Sequence, residues 1–141
     1  MTFRNPAQDG IAIAGVGRSP YSRNLDSTAT PGSTTLRACL EAIEDAGLSP
    51  SAIDGVCGSM VNSQYVQEAL GLGEISWFAN PELVIGNQLI AAINALQAGA
   101  ATTVLVYHTT HTLPFQSRKA AADPFRQRAA SLEGRTSYRG F

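Results

Sequence analysis

From Val84 to His108 the chain reads VIGNQLIAAINALQAGAATTVLVYH, and no other stretch limits the fold as tightly. Asn87, Asn94 and Gln97 fall within about a quarter-turn of one another on a helical wheel. Apart from Gln88, the remaining helical positions are apolar or small. A surface helix shows one apolar stripe, whereas a helix apolar almost all round calls for cover on most sides. Its many alanines let neighbouring layers come close. Gly99 supplies the stop expected just beyond a helix end. Thr102 to Tyr107 then forms a continuous β-branched and aliphatic run, the pattern of a strand buried on both faces. A buried helix feeding a buried strand belongs in the middle of a layered α/β protein.

The upstream segments agree with that class. Ile11 to Val16 reads as a short strand closed by Gly17, and residues 18–32 as an exposed loop. Ser33 or Thr34 caps a helix running to about Ala46, with Leu36, Cys39, Leu40 and Ile43 on one face and Gly47 as its end. A second strand is expected near Val56 to Met60, and Ser63 caps a short helix from Gln64 to Leu70. Ile75 to Ala79 gives a third strand before the Asn80-Pro81 break. Trp77 and Phe78 point to opposite sides of it, which suits a strand covered on both faces. The order β-α-β-α-β-α-β predicts an α/β fold with a mainly parallel sheet and a buried central helix. Residues 1–112 form this incomplete α/β portion. Residues 113–141 read as a basic excursion loop, with a short helix around Phe125 to Leu132. Stopping soon after a buried strand, without a closing element, predicts a portion of something larger.

Composition narrows the function classes. Hydrophobic content of 44% and charged content of 15% are globular values, and the net charge of −1 favours neither nucleic acid nor anionic membrane. Charge is uneven along the chain: residues 1–112 balance at −5 and the remainder at +4. The opening MTFRNPAQDG lacks a signal peptide's charged start and apolar core. Asn87, Gln88, Asn94 and Gln97 interrupt the best candidate for a membrane span. Cys39 and Cys57 have neither metal-site nor disulfide-framework spacing, so both read as small buried hydrophobes in a reducing, cytoplasmic setting.

Several motifs are weak on inspection. Gly15-Val16-Gly17 is only a G-x-G after a strand, with Pro20 where a third glycine is needed, so a dinucleotide site is poorly supported. His108 and His111 lie just past the fourth strand, where ligands of open α/β sheets gather. Two histidines are too few for a metal site, and none is predicted. Arg118, Lys119, Arg126, Arg128, Arg135 and Arg139 make the tail basic. Attraction for phosphates or an acidic partner surface, single-stranded nucleic acid around Phe115, Phe125 and Tyr138, and plain solvation are the three readings. Nucleic acid is not among the partners expected.

Taken together, IAIAGVGRSPYSR, EAIEDAGLSPSAIDGV, GLGEISWF and AINALQAGAATTVLVYH resemble, in order, the amino-terminal part of thiolase-like lipid-transfer proteins. These form the sterol-carrier-type branch of the thiolase superfamily, which includes aldolases acting on steroid side-chain acyl-CoA thioesters. The resemblance spans roughly residues 10–110. Ordinary thiolases carry a nucleophilic cysteine in a C-x-S-G-G pattern at the start of the central helix, where the helix N-terminus lowers a thiol pKa. Here Gly86 matches the last glycine and the cysteine position falls near Glu82, so the nucleophile is missing, as it is in the aldolase-like branch. The resemblance implies retro-aldol carbon–carbon cleavage of an acyl-CoA substrate, no cofactor, a separate OB-fold partner subunit, and a homodimer through the strand around Trp77. It also implies a substrate pocket formed by Glu82, Val84, Gly86 and Asn87, with His108 nearby. The bland reading of Glu82 is first-turn helix stabilisation, and that of Asn87 and Gln88 is structural hydrogen bonding. A non-catalytic acyl-CoA- or lipid-binding protein and a small nucleotide-binding α/β domain are the alternative functions.

Overall fold

The computed structural model describes residues 10–21, 29–81 and 84–110. The elements in chain order are α1 (Pro31–Asp45), a short 3-10 turn (Pro50–Ala52), β1 (Gly55–Ser59), α2 (Ser63–Leu70), β2 (Trp77–Ala79), α3 (Ile85–Gln97) and β3 (Val104–His108). The three strands form one parallel sheet in the order β2-β1-β3. It is an α/β fold, as the alternating pattern predicts.

Alternation along β1 and β3 sorts the layers. Val56, Leu105 and Tyr107 join Cys39 and Ile43 of α1 and Val66 of α2 in one buried cluster. Cys57, one residue out of phase with Val56, turns its Sγ to the Gln88 carbonyl of α3 at 3.4 Å. The helices α1 and α2 therefore cover one face of the sheet and α3 the other.

The first two helices start slightly away from the predicted residues, for local reasons. Thr30, not Ser33 or Thr34, caps α1: its side chain accepts from the Ser33 amide at 3.1 Å, and the Ser33 hydroxyl accepts from the Thr30 amide at 2.9 Å. Serine thus plays the part usually given to Glu in a capping box, with Pro31 ready-shaped for the first turn. Asn62 rather than Ser63 caps α2, accepting from the Gln64 amide at 2.8 Å. Gly71 and Gly99 take positive φ values of 61° and 70° just beyond the ends of α2 and α3.

The expected first strand, Ile11 to Val16, is not part of the sheet. A Cβ on Gly15 or Gly17 would collide with the backbone of α1 around Ala38, Ala42 and Ala46. Two glycines two residues apart give the segment one bare side, and that side lies directly on the helix. The Val16 amide then donates to Asp45 Oδ2 at 2.9 Å and the Arg18 amide to Glu41 Oε2 at 3.3 Å. Carboxylates on successive turns of α1 take the donors a neighbouring strand would use.

Cover of α3 is one-sided in this chain. Gln88, Ala92 and Ala95 face the sheet and are buried, the alanines allowing close approach. Ile85, Leu89, Ile90 and Ile93 stay exposed, Ile90 at 60%. Gln88, the polar residue outside the polar cluster on the wheel, is the one fully buried there. Its Nε2 donates to the Pro81 carbonyl at 3.0 Å, while its Oε1 has no partner. The strand β3 alternates between buried and half-buried residues before ending at exposed His108, rather than being buried on both faces. In β2, Trp77 is half-buried and Phe78 is 67% exposed, so only one side of this edge strand is covered here.

No helix among the described residues is long and apolar enough to cross a membrane. The expected helix around Phe125 to Leu132, the basic tail, His111 and Glu82 lie outside the described residues.

Candidate functional site

In a parallel sheet every strand delivers its last residue to the same edge. Here β1 ends at Ser59, β2 at Ala79 and β3 at His108, and the helices that follow β1 and β2 begin at that edge. Ser59 is the register partner of His108. Both side chains project on the α3 face, since each is in phase with Cys57 and Val106 along its strand. Moving along β1 from Cys57, which touches Gln88, to Ser59 leads back toward the first turn of α3. That turn holds Gly86 and Asn87, with Val84 at the N-cap position. The topology therefore gathers Val84, Gly86, Asn87 and His108 at one end of one face.

The central pair is Ser59 Oγ and His108 Nδ1, 2.7 Å apart. Ser59 is buried while His108 is exposed. The next residue, Met60, has φ of 71°, the only non-glycine in the left-handed region among the described residues. Such a conformation costs about 1 kcal/mol or more and persists where the surroundings hold it. Tyr107 provides part of that hold. Its ring covers Gly58, and its hydroxyl donates to the Val61 carbonyl at 2.6 Å. Burial, helped by Cys39 and Cys57 nearby, pushes the Tyr107 phenol above its ordinary pKa, so it stays a neutral donor.

Polar pairs brace the rest of the edge. The Thr35 and Thr109 hydroxyls bond to each other, tying the start of α1 to the end of β3. Asn80 and Ser63 bond reciprocally: the Ser63 amide donates to Asn80 Oδ1 at 3.2 Å, and Asn80 Nδ2 donates to Ser63 Oγ at 3.0 Å. The first turn of α3 carries no side-chain cap, and nothing stands where a Cβ on Gly86 would be. Val84 and Asn87 are exposed there.

Both cysteines are free and buried, as expected. Burial pushes the Cys39 thiol up to about 12 and the Cys57 thiol up to about 11. Among the described residues no group of three or more His, Cys, Asp or Glu is placed to hold a metal. An open surface depression lies along α1 between Leu36, Leu40 and Glu44.

Ser59 is the functional candidate that sequence reasoning misses. Its contact with His108 depends on strand register, which a linear motif does not carry; the shared apolar run and polar end of GVCGS and VLVYH are the available signal.

Against known proteins, no family model matches this chain and no curated protein matches it. Among solved structures the chain is similar to one described as the Ltp2-ChsH2(DUF35) aldolase, with a TM-score of 0.63 and 27% identity. The match covers 78% of this chain and 31% of that one, so the chain spans about a third of the length of its structural neighbour. The likeness defines an aldolase-like α/β fold.

Proposed function

We propose that this chain is the amino-terminal part of a thiolase-like, lipid-transfer-type subunit that cleaves a carbon–carbon bond in an acyl-CoA thioester by retro-aldol chemistry. The observation carrying this reading is the fold shared with a chain described as an aldolase, over most of the present chain. The site is compatible with it. In the retro-aldol direction a base takes the proton of the β-hydroxyl and the Cα–Cβ bond breaks. Its electron pair moves onto the thioester carbonyl as an enolate, and a proton returned to Cα completes the shorter thioester beside a carbonyl product. The cleavage needs no oxidant and no covalent enzyme intermediate. That agrees with both cysteines being buried. The protein's part is to bind the thioester at the helix mouth and stabilise the enolate oxygen. In this reading Val84, Gly86 and Asn87, at the start of α3, contact the thioester, and His108, at the end of β3, serves the same site. The exposed apolar flank of α3 fits a layered fold in which further protein packs on this helix.

A partner subunit belongs to the proposal, because the neighbour's description names two components, Ltp2 and ChsH2. The test is to incubate the protein with a β-hydroxyacyl-CoA, with and without an OB-fold partner subunit. A shorter acyl-CoA and a free aldehyde or ketone are expected. No cleavage under either condition overturns the enzyme reading, and tight binding without cleavage favours the non-catalytic alternative.

Self-association through β2 also belongs here. This strand lies at the sheet edge with Phe78 67% exposed, and an uncovered edge pairs readily with another strand. Sedimentation is expected to show a dimer that Phe78→Asp converts to monomer. A monomeric parent protein defeats the edge-pairing idea.

A further inference from the structure

We propose that Ser59 is a positioning residue: it holds His108 in one neutral tautomer and thereby makes the outer imidazole nitrogen a hydrogen-bond donor to a substrate carbonyl oxygen. The argument begins from burial. Ser59 is 7% exposed, and its hydroxyl has no partner other than His108 Nδ1 among the described residues. A buried hydroxyl that only accepts leaves its own O–H unsatisfied, which costs about 1–3 kcal/mol. The hydroxyl therefore donates to Nδ1. A neutral imidazole whose Nδ1 accepts must carry its proton on Nε2.

Accessibility separates this pair from a nucleophilic serine with its base. In that arrangement the hydroxyl is open to substrate and the imidazole stands behind it. Here the hydroxyl is inside and the imidazole outside. The roles are reversed, so the serine orients and the histidine meets the ligand. The platform is stiff: Ser59 and His108 are register partners in the ladder, and Met60 is held at φ 71°. The Tyr107 hydroxyl also fastens the following turn through the Val61 carbonyl.

An Nε2–H beside the α3 mouth suits a carbonyl oxygen on which negative charge grows, and a fixed donor needs no reorientation as the charge develops. That chemical role rests on the retro-aldol reading. The tautomer assignment does not.

The protein contains two histidines, so nitrogen NMR of ¹⁵N-histidine-labelled protein resolves the question, with His111→Gln assigning the signals. For neutral His108 the expected spectrum shows one Nε2–H tautomer, its Nδ1 signal displaced by an accepted hydrogen bond. In Ser59→Ala the displacement should vanish and the two tautomers average. Ser59→Thr, which keeps a hydroxyl, should restore the parent pattern. With a β-hydroxyacyl-CoA the alanine variant should lose about tenfold in kcat while KM stays within about twofold, and the threonine variant should recover most of the loss. A parent spectrum with the proton on Nδ1, or an alanine spectrum matching the parent, overturns the proposal. If Ser59→Ala does not fold, the parent and threonine spectra still decide. Absence of turnover in every variant defeats the retro-aldol reading and leaves the tautomer result standing.

Discussion

Gly58→Ala is expected to destabilise the protein by about 3 kcal/mol or more, enough to lower Tm by roughly 10 °C in a chain of this size. Gly58 and Tyr107 are register partners on adjacent strands, and the ring lies across the glycine. An added methyl would meet Tyr107 Cζ, Cε1 and Cε2, all far inside contact distance. An exposed ring would swing aside. This one is 6% exposed within the cluster formed by Cys39, Val56 and Val66, and its hydroxyl is anchored to the Val61 carbonyl at 2.6 Å. Displacing it adds the cost of a lost hydrogen bond, about 1 kcal/mol, to the overpacking. Urea or thermal unfolding measures the total. The mechanism makes a second, sharper statement: in a Tyr107→Leu background the same Gly58→Ala change should cost under about 1 kcal/mol, because the obstructing ring is gone. Equal costs in both backgrounds would show that something other than the ring resists the methyl. Since Ser59 follows Gly58 directly, the variant should also loosen the histidine before the domain unfolds.

Asp54 should show the next largest effect, at the opposite end of the sheet. Its Oδ1 accepts from the Thr103 amide at 2.7 Å and its Oδ2 from the Thr102 hydroxyl at 2.6 Å, with the Thr102 amide bridging both oxygens. Its carbonyl meanwhile accepts from the Ser76 amide at 2.8 Å. One residue thus ties the entry of β1 to the turns before β2 and β3. Partial burial raises the carboxyl pKa, but the bonds from Thr102 and Thr103 outweigh it and hold it below the usual carboxylate value. The sign follows: a folded pKa below the unfolded one gives stability that is complete above the ordinary carboxylate pKa of about 4 and is lost as pH falls through the lower folded value. Asp54→Ala should cost about 2 kcal/mol near neutrality, a figure kept modest because the group is partly solvated. The same variant should be less acid-sensitive than the parent over that window. An unfolding curve at pH 7 and another near pH 3 check both halves. Parallel loss of stability in parent and variant on acidification would remove Asp54 from the account.

How far the sequence reveals this structure depends on how local the controlling interaction is. The helix stops at Gly71 and Gly99 are local, and each glycine falls where its left-handed backbone requires it. The inward placement of Cys39 and Ile43 follows from helical spacing alone. The segment 10–18 is different. Its apolar residues carry a strand's signature, yet Gly15 and Gly17 only reveal their purpose against Ala38 and Ala42, more than twenty residues away. Gln88 shows the same limit. Periodicity assigns it no special face, and the Pro81 carbonyl that receives its amide is visible only once the chain has turned. The placement of Val84, Gly86 and Asn87 at the start of α3 and of His108 at the end of β3 is legible in the sequence, because strand ends and helix starts meet at one sheet edge. Ser59 is not, since the pairing of GVCGS with VLVYH fixes which residues face each other. One step of register would give His108 a different neighbour.

The depth of the two sulfurs has a chemical consequence. With thiols held near 12 and 11, hardly any thiolate exists at neutral pH, and neither sulfur lies on the surface. Neither thiol among these residues is therefore set up as a nucleophile in the folded state. Electrophiles and peroxides are likewise shut out until the fold breathes, which makes oxidative inactivation through these residues a matter of how often the domain opens rather than of how much oxidant surrounds it.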